Sequence, residues 1–307
     1  MPAVDRNVPK RAASSESRMS LMEFMREFPD DATCLEHLWR ERYSPDGEHA
    51  LCPKCEQIRV FKKYAIKNRR SSWTCTGCGH HVHPLVGTIF EKSPTSLHLW
   101  FYAMYLMSST RCGISAKQLE RELGVTYKCA WRIANKIRNK LMVQDDTTPL
   151  EGDVEVDETW IGGKPRAHAK VRGNAHASQK PIVLGMVERG GQVRTDITPF
   201  SGAGDIRPRV LANVKAGSRL HTDGNGVYRT MAGTFDHYAG VYVSGDVHTN
   251  TIEGFWATVK NGICGVYHAV SRQWLQSYLD EYSFRYNHRK GADPFRVLLA
   301  RAALPTT

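Results

Sequence analysis

The chain has 307 residues, 41% of them hydrophobic and 24% charged, and a formal net charge of +11. That length accommodates two or three domains with a real core, and its longest apolar run, Leu97–Met107 broken by His98, is far too short to cross a bilayer. The basic surplus, with a pI near 9.3, points to a polyanionic partner, nucleic acid before membrane; general solubility charge is the plainer alternative.

Residues 1–19 read as a disordered, mildly basic arm carrying Lys10, Arg11, Ser14, Ser15 and Ser17. No apolar core of a secretory signal lies in it, so the expected location is cytoplasmic, at the nucleoid. There, eight cysteines are thiols or metal ligands rather than disulfides.

Residues 20–92 form the first expected folded region. Leu21, Phe24, Met25 and Phe28 recur at helical spacing from Ser20 until Pro29, and residues 31–43 predict a second helix through Cys34, Leu35, Leu38 and Trp39. Cys52-Pro-Lys-Cys55 and Cys75-Thr-Gly-Cys78 follow, with strand-like alternation between them. Two residues between paired cysteines let both thiolates reach one tetrahedral ion, so the four are expected to hold a structural zinc as a small zinc ribbon. Free redox thiols are the alternative, and His80, His81 and His83 stand nearby as substitutes. Cys34, Cys112, Cys129 and Cys264 are expected in the core. Lys62, Lys63, Lys67, Arg69 and Arg70, with Arg59, are interleaved with Phe61, Tyr64 and Trp73, a composition that suits phosphate contacts and base stacking, or simply a solvated face.

Residues 93–145 read as helical. A buried helix over 95–110 precedes a two-helix pattern: Ser115 caps the first, Gly124 stops it, and Thr126 caps the second. Ala130, Ile133, Ala134, Ile137 and Leu141 make the inner stripe of the second helix, while Lys128, Arg132 and Lys136 lie outside, as in a helix-turn-helix with its recognition helix at 127–142.

Residues 146–307 form the expected catalytic domain, after a linker at 144–150. Strands are expected at 151–161, 181–187 and 193–200, with 164–180 a basic, flexible loop. A helix follows at 205–215, a strand at 219–222 ending in Asp223-Gly224, another strand near 241–243, and helices over 249–261 and 271–287. Asp293-Pro294 opens the last helix. In the 249–261 helix, Ile252, Phe255, Trp256 and Val259 make one apolar stripe, and Glu253, Ala257 and Lys260 run beside it. Glu253 and Lys260 thus stand ~10 Å apart along the axis, too far to pair directly. Each acid has a plain reading too. Asn250-x-x-Glu253 is a capping-box pattern, Asp157 is one of four acids (Asp153, Glu155, Asp157, Glu158) on what reads as a solvated strand edge, and Asp223-Gly224 is a turn dipeptide.

The order of elements, on a basic chain with a zinc ribbon, favours chemistry over the plain readings. Three strands, a helix, a fourth strand ending in Asp and then a helix bearing Glu fit a ribonuclease-H-like α/β fold, a mixed sheet with helices, whose first acid sits in the first strand and whose second follows the fourth. Asp157, Asp223 and Glu253 occupy those places. Val154-Glu-Val-Asp157-Glu-Thr-Trp-Ile-Gly-Gly163, His221-Thr-Asp223-Gly224, His248 through Lys260, Gly265-Val-Tyr-His268 and Tyr282 through Arg289 together resemble the bacterial insertion-sequence transposases of the zinc-ribbon DDE kind, over roughly residues 20–300. The resemblance implies a DDE core with Lys seven residues after the Glu, which Glu253 and Lys260 satisfy. On that reading Asp157 bridges two Mg²⁺ (or Mn²⁺) ions, Asp223 serves one and Glu253 the other, and Lys260 holds a phosphate. Water would cut the element's end to leave a 3′-OH, which would then attack double-stranded target DNA, within a synaptic dimer or larger assembly. Two other readings stand beside it: a structure-specific nuclease of the same fold, and a non-enzymatic zinc-ribbon DNA-binding regulator.

Overall fold

In the computed structural model, which describes residues 19–65, 70–144, 146–162, 181–222, 226–229, 231, 237–239 and 249–305, the chain divides into two units: Met1–Arg111 with His288–Thr307, and Cys112–Asn287. Among the described residues no helix is long and apolar enough to cross a membrane.

In the first unit, α1 (Leu21–Glu27) starts where Ser20 and Glu23 form a reciprocal capping box, and α2 (Asp31–Arg42) where Asp30 accepts from the Thr33 amide at 2.8 Å. A four-stranded antiparallel sheet follows, β1 (His49–Leu51), β2 (Ile58–Tyr64), β3 (Ser72–Cys75) and β4 (His81–Val82), in that order. Trp39 of α2 stacks on Trp73 with centroids 4.8 Å apart and meets Phe61 at 5.4 Å. Phe61 and Trp73, expected among a base-stacking surface, are therefore core residues; of those three aromatics only Tyr64 is exposed. Helices α3 (Leu97–Ser109) and α10 (Pro294–Ala303) complete the unit around Phe24, Phe28, Phe101 and Phe295. As expected, α10 opens at Asp293, which accepts from the Phe295 amide at 3.0 Å.

In the second unit, α4 (Ala116–Leu123) and α5 (Tyr127–Leu141) are capped by Ser115 and Thr126, and Gly124 closes α4 at φ +62. A five-stranded sheet has the order β7-β6-β5-β8-β9. Its strands are β5 (Asp153–Trp160), β6 (Ile182–Glu188), β7 (Val193–Thr198), β8 (Arg219–His221) and β9 (His237–Ala239). β5, β6 and β7 pair antiparallel, while β5, β8 and β9 pair parallel. On one face Val154, Val156, Leu184 and Met186 pack with Ile206 and Val210 of α6 (Ala203–Asn213) and with Tyr228 of the short α7 (Gly226–Arg229). On the other, Val183, Val187 and Val193 pack with Ile252, Phe255, Trp256 and Val259 of α8 (Asn250–Gly262) and with Leu275, Leu279 and Tyr282 of α9 (Leu275–Asn287). This is helix on both faces of a mixed sheet. The helix expected from residue 271 begins as a 3₁₀ turn, Arg272–Trp274, and becomes α-helical at Leu275. β9 was not foreseen. The strand expected near 241–243 and the loop at 164–180 lie outside the described residues.

The edge strand β7 is protected by side chains. Asn287 accepts from the Val193 amide at 2.7 Å and donates to its carbonyl at 3.1 Å, and Gln276 donates to the Thr195 carbonyl. Groups that would otherwise invite another strand are thus occupied. Deeper in the unit, Arg138 of α5 donates to Glu281 of α9 at 2.5 Å with both side chains buried, Arg285 donates to the same carboxylate, and the Tyr267 hydroxyl donates to it as well. Arg138 also lies 4.2 Å from the Tyr278 ring centroid. Although burial opposes ionisation, Arg138 and Arg285 hold the Glu281 carboxyl below its usual range.

Candidate functional site

The cysteine cluster lies at the two turns that begin and end the β2–β3 hairpin. Sγ atoms of Cys52, Cys55, Cys75 and Cys78 all lie within 4.8 Å of one another, with Cys52 and Cys78 at 3.5 Å and Cys55 and Cys75 at 3.9 Å. Zinc–sulfur bonds of about 2.3 Å in a tetrahedron put sulfurs about 3.8 Å apart, so the set fits one zinc ion. Burial works against ionising Cys52, but the Cys55 and Lys54 amides outweigh it and pull its pKa down to about 6. His81 is not in the cluster; its Nδ1 is hydrogen-bonded to Thr74. Of the other cysteines, Cys34 is buried as expected, its thiol pushed up to about 12 by desolvation. Cys129 is half-buried, and Cys112 and Cys264 are exposed rather than in the core.

Asp157 and Glu253 lie on two elements that pack together on one face of the second unit's sheet, β5 and α8. Val154 and Val156 point to the α6 side, so Glu155 and Asp157 point to the α8 side by the alternation of the strand. Asp157, half-buried, pairs across the sheet with Gly185 of β6. A Cβ at Gly185 would sit 2.8 Å from Cη2 of Trp256 and 2.9 Å from Cδ1 of Ile252, so the missing side chain lets α8 lie directly on the sheet beside Asp157. Glu253, next to Ile252 in the first turn of α8, is exposed, as is Lys260 two turns on. The structure therefore brings the helix of Glu253 and Lys260 onto the strand of Asp157. Asp223 lies outside the described residues. The strand before it, β8, ends with His221 paired in parallel to Glu155.

The cap expected of Asn250 and Glu253 is not formed. Thr249 is the N-cap without a side-chain bond to the helix backbone, and its hydroxyl donates to Glu253 at 2.9 Å. The first-turn amides go instead to Glu155: Thr251 N at 2.8 Å and Ile252 N at 2.9 Å reach Oε2, while Thr251 Oγ1 at 3.0 Å and Arg189 Nε at 2.8 Å reach Oε1. Glu155, read from the sequence as part of a solvated edge, is fully buried. A polar residue between Val154 and Val156 was the one signal available, and it could not reveal the helix covering that face. Beyond Lys260, α8 runs into a π-helical turn, Ile263–Tyr267, that ends at His268 with φ +59. Such turns occur often at functional sites.

The basic candidates are dispersed. Lys62 is exposed on β2. Lys63 is exposed too but lies 3.7 Å from Glu36 and 5.5 Å from the centre of the Trp73 ring. Arg70 is half-buried and donates to the carbonyls of Ser93 and Thr95. Lys67 and Arg69 lie outside the described residues. On α5, Lys128 and Arg132 are exposed and Lys136 is half-buried, opposite the inner stripe of Ala130, Ile133, Ala134 and Ile137.

Residues 149–287 match the model of a family described as ISXO2-like transposase domain, and the match ends where the second unit ends. The chain is 29% identical over 276 residues, 82% of its length and 90% of the relative's, to a Halobacterium salinarum protein described as an uncharacterized protein in transposable element ISH50. No solved structure matches the chain.

Proposed function

We propose that this chain, which belongs through residues 149–287 to an insertion-element transposase family, cuts DNA at the ends of its element and joins the freed 3′-OH to a double-stranded target. The observation that carries this reading is the seating of α8 on β5, with Glu253 and Lys260 on the helix and Asp157 on the strand beneath. Three antiparallel strands, a helix, a strand parallel to the first and then α8 support an RNase H-like core. Asp157 follows Glu155 by two residues, and Asp223 follows His221 by two.

Asp157, Asp223 and Glu253 would hold two Mg²⁺ or Mn²⁺ ions, which when bound supply an activated water and charge neutralisation at the leaving oxygen. The chain's own residues do the rest. The β5 backbone, paired with β6 along its length and with β8 as far as Glu155, fixes Asp157. The first turn of α8 presents Glu253 on its exposed side. Lys260, exposed on the same helix, holds a phosphate near the cut. Cys52, Cys55, Cys75 and Cys78 would hold one structural Zn²⁺, shaping a ribbon whose Lys62 and Lys63, with Lys128, Arg132 and Lys136 of α5, contact the DNA backbone. Joining two ends requires at least a dimer, acting at the nucleoid.

In this reading Asp157→Asn abolishes Mg²⁺-dependent cleavage of an end fragment while end binding persists; cleavage retained in both Asp157→Asn and Asp223→Asn defeats it. A precut end separates joining from cutting, since a nuclease of the same fold leaves it unjoined and a regulator neither cuts nor joins. Removing zinc weakens end binding, and a chelated protein that binds its ends as tightly as before rules out the ribbon's part.

A further inference from the structure

Glu155 has no place in the chemistry just described, yet it is one of two fully buried acids among the described residues, the other being Glu281. We infer that Glu155 is a positioning residue that fixes the first turn of α8, and so Glu253 and Lys260, against the strand that carries Asp157. The inference rests on the reading of Asp157 and Glu253 as the cleavage site.

Among the described residues, four donors converge on this one carboxylate. Two oxygens offer about four lone-pair sites, so these donors fill it and leave Glu155 unsuited to be a further metal ligand. The Arg189 guanidinium balances its charge, so it contributes geometry rather than another negative charge at the site. The decisive contact is Oε2, which receives the amides of Thr251 and Ile252 together, at 2.8 and 2.9 Å. Successive helical residues are turned by about 100°, so one oxygen receives both amides at a single rotation and height of the helix. Glu253 is the next residue, and its direction follows from that rotation. Helix N-termini are ordinarily capped by a neighbouring side chain. Here Thr249 makes no such bond, and the cap comes from the strand 96 residues earlier. Gly185 sets the distance between helix and sheet, and Glu155 sets the rotation, on either side of Asp157.

The test compares wild type, Asp157→Asn, Glu155→Gln and Thr251→Val in the full chain. The readouts are single-turnover Mg²⁺-dependent cleavage of an end fragment, affinity for the same fragment, and hydrogen exchange of individual amides. Glu155→Gln keeps the shape but sets an NH₂ group against donors. It should slow cleavage about 30-fold or more, leave affinity within about twofold, and speed exchange at Thr251 and Ile252 about tenfold while β5 and β6 keep their protection. Thr251→Val removes one donor and retains the carboxylate; it should slow cleavage severalfold and serves alone if Glu155→Gln does not fold. Cleavage by the folded variants within about twofold of wild type overturns the inference, as does a loss that comes with lost protection throughout the sheet, the mark of a merely structural role. A wild type that does not cleave, or an Asp157→Asn that does, overturns the reading of the site instead, and exchange at Thr251 and Ile252 still decides whether Glu155 holds the helix.

Discussion

A single methyl group added at Gly185 should disturb the second unit far more than its size suggests. The glycine faces α8, and a Cβ there would meet two buried side chains, with Trp256 Cη2 at 2.8 Å, Ile252 Cδ1 at 2.9 Å and Trp256 Cζ2 closer still. Ordinary carbon contacts lie near 3.5–4.0 Å, so the helix must lift or the indole must leave its place. Overpacking of this kind costs about 1–3 kcal/mol. At about 2–4 °C per kcal/mol for a unit of this size, Gly185→Ala should lower the Tm by roughly 2–12 °C. Thermal and urea unfolding followed by circular dichroism measure it. The clash also has a specific remedy. Among the described residues the Trp256 indole N–H has no partner, so Trp256→Phe removes the offending ring atoms without breaking a hydrogen bond. The double variant should regain about half of the loss, a coupling that a double-mutant cycle isolates. If Gly185→Ala unfolds within about 0.5 kcal/mol of wild type, or if Trp256→Phe recovers nothing, the close seating of α8 on β6 is wrong, and the case for a site between Asp157 and Glu253 falls with it.

Three further perturbations test electrostatics, two in the second unit and one in the first. Glu281→Ala leaves the buried guanidiniums of Arg138 and Arg285 without their shared carboxylate and should cost about 3–5 kcal/mol in urea unfolding. Removing the exposed Glu27–Arg296 pair should cost less than about 1 kcal/mol. Burial pushes the Asp280 pKa from 3.8 up to about 6, with the Gln276 amide opposing the shift. The protonated acid is therefore favoured in the folded state, and its contribution is full below about pH 4 and lost as pH rises through 6. Asp280→Asn should flatten urea midpoints over that window and raise stability at pH 7 by roughly 3 kcal/mol; an unchanged pH profile refutes the shift.

Local rules carried much of this architecture in the sequence. Ser20 with Glu23, Ser115, Thr126 and Asp293 each mark a helix start that the structure reproduces, because a cap is decided by residues three or four apart. The four cysteines converge because their spacing and the hairpin between them leave few other arrangements. The failures share a cause as well. Asn250 and Glu253 satisfy the local capping pattern, but the helix starts at Thr249 and a carboxylate from β5 takes the Thr251 and Ile252 amides. Glu155 looks like a solvated acid until α8 covers it. Phe61 and Trp73 look like a stacking surface among lysines until Trp39 of α2 covers them. In each case the deciding partner is distant in sequence, and no periodicity encodes it.

That pattern bears on how the site is made rigid. A short exposed helix would hold Glu253 loosely, since isolated helices of this length are marginal in water. α8 is instead constrained from three directions: Glu155 at its first turn, Gly185 beneath Ile252 and Trp256, and at its far end the π-helical turn, whose Tyr267 hydroxyl donates to buried Glu281 at 2.9 Å. The last of these constraints passes through Arg138, which belongs to α5. The helix read as meeting DNA and the helix carrying Glu253 therefore share one buried carboxylate network, and α5 cannot shift along α9 without disturbing the charges that hold the end of α8. Because none of these contacts lies on the exposed Glu253–Lys260 face, they tighten the helix while leaving that face open.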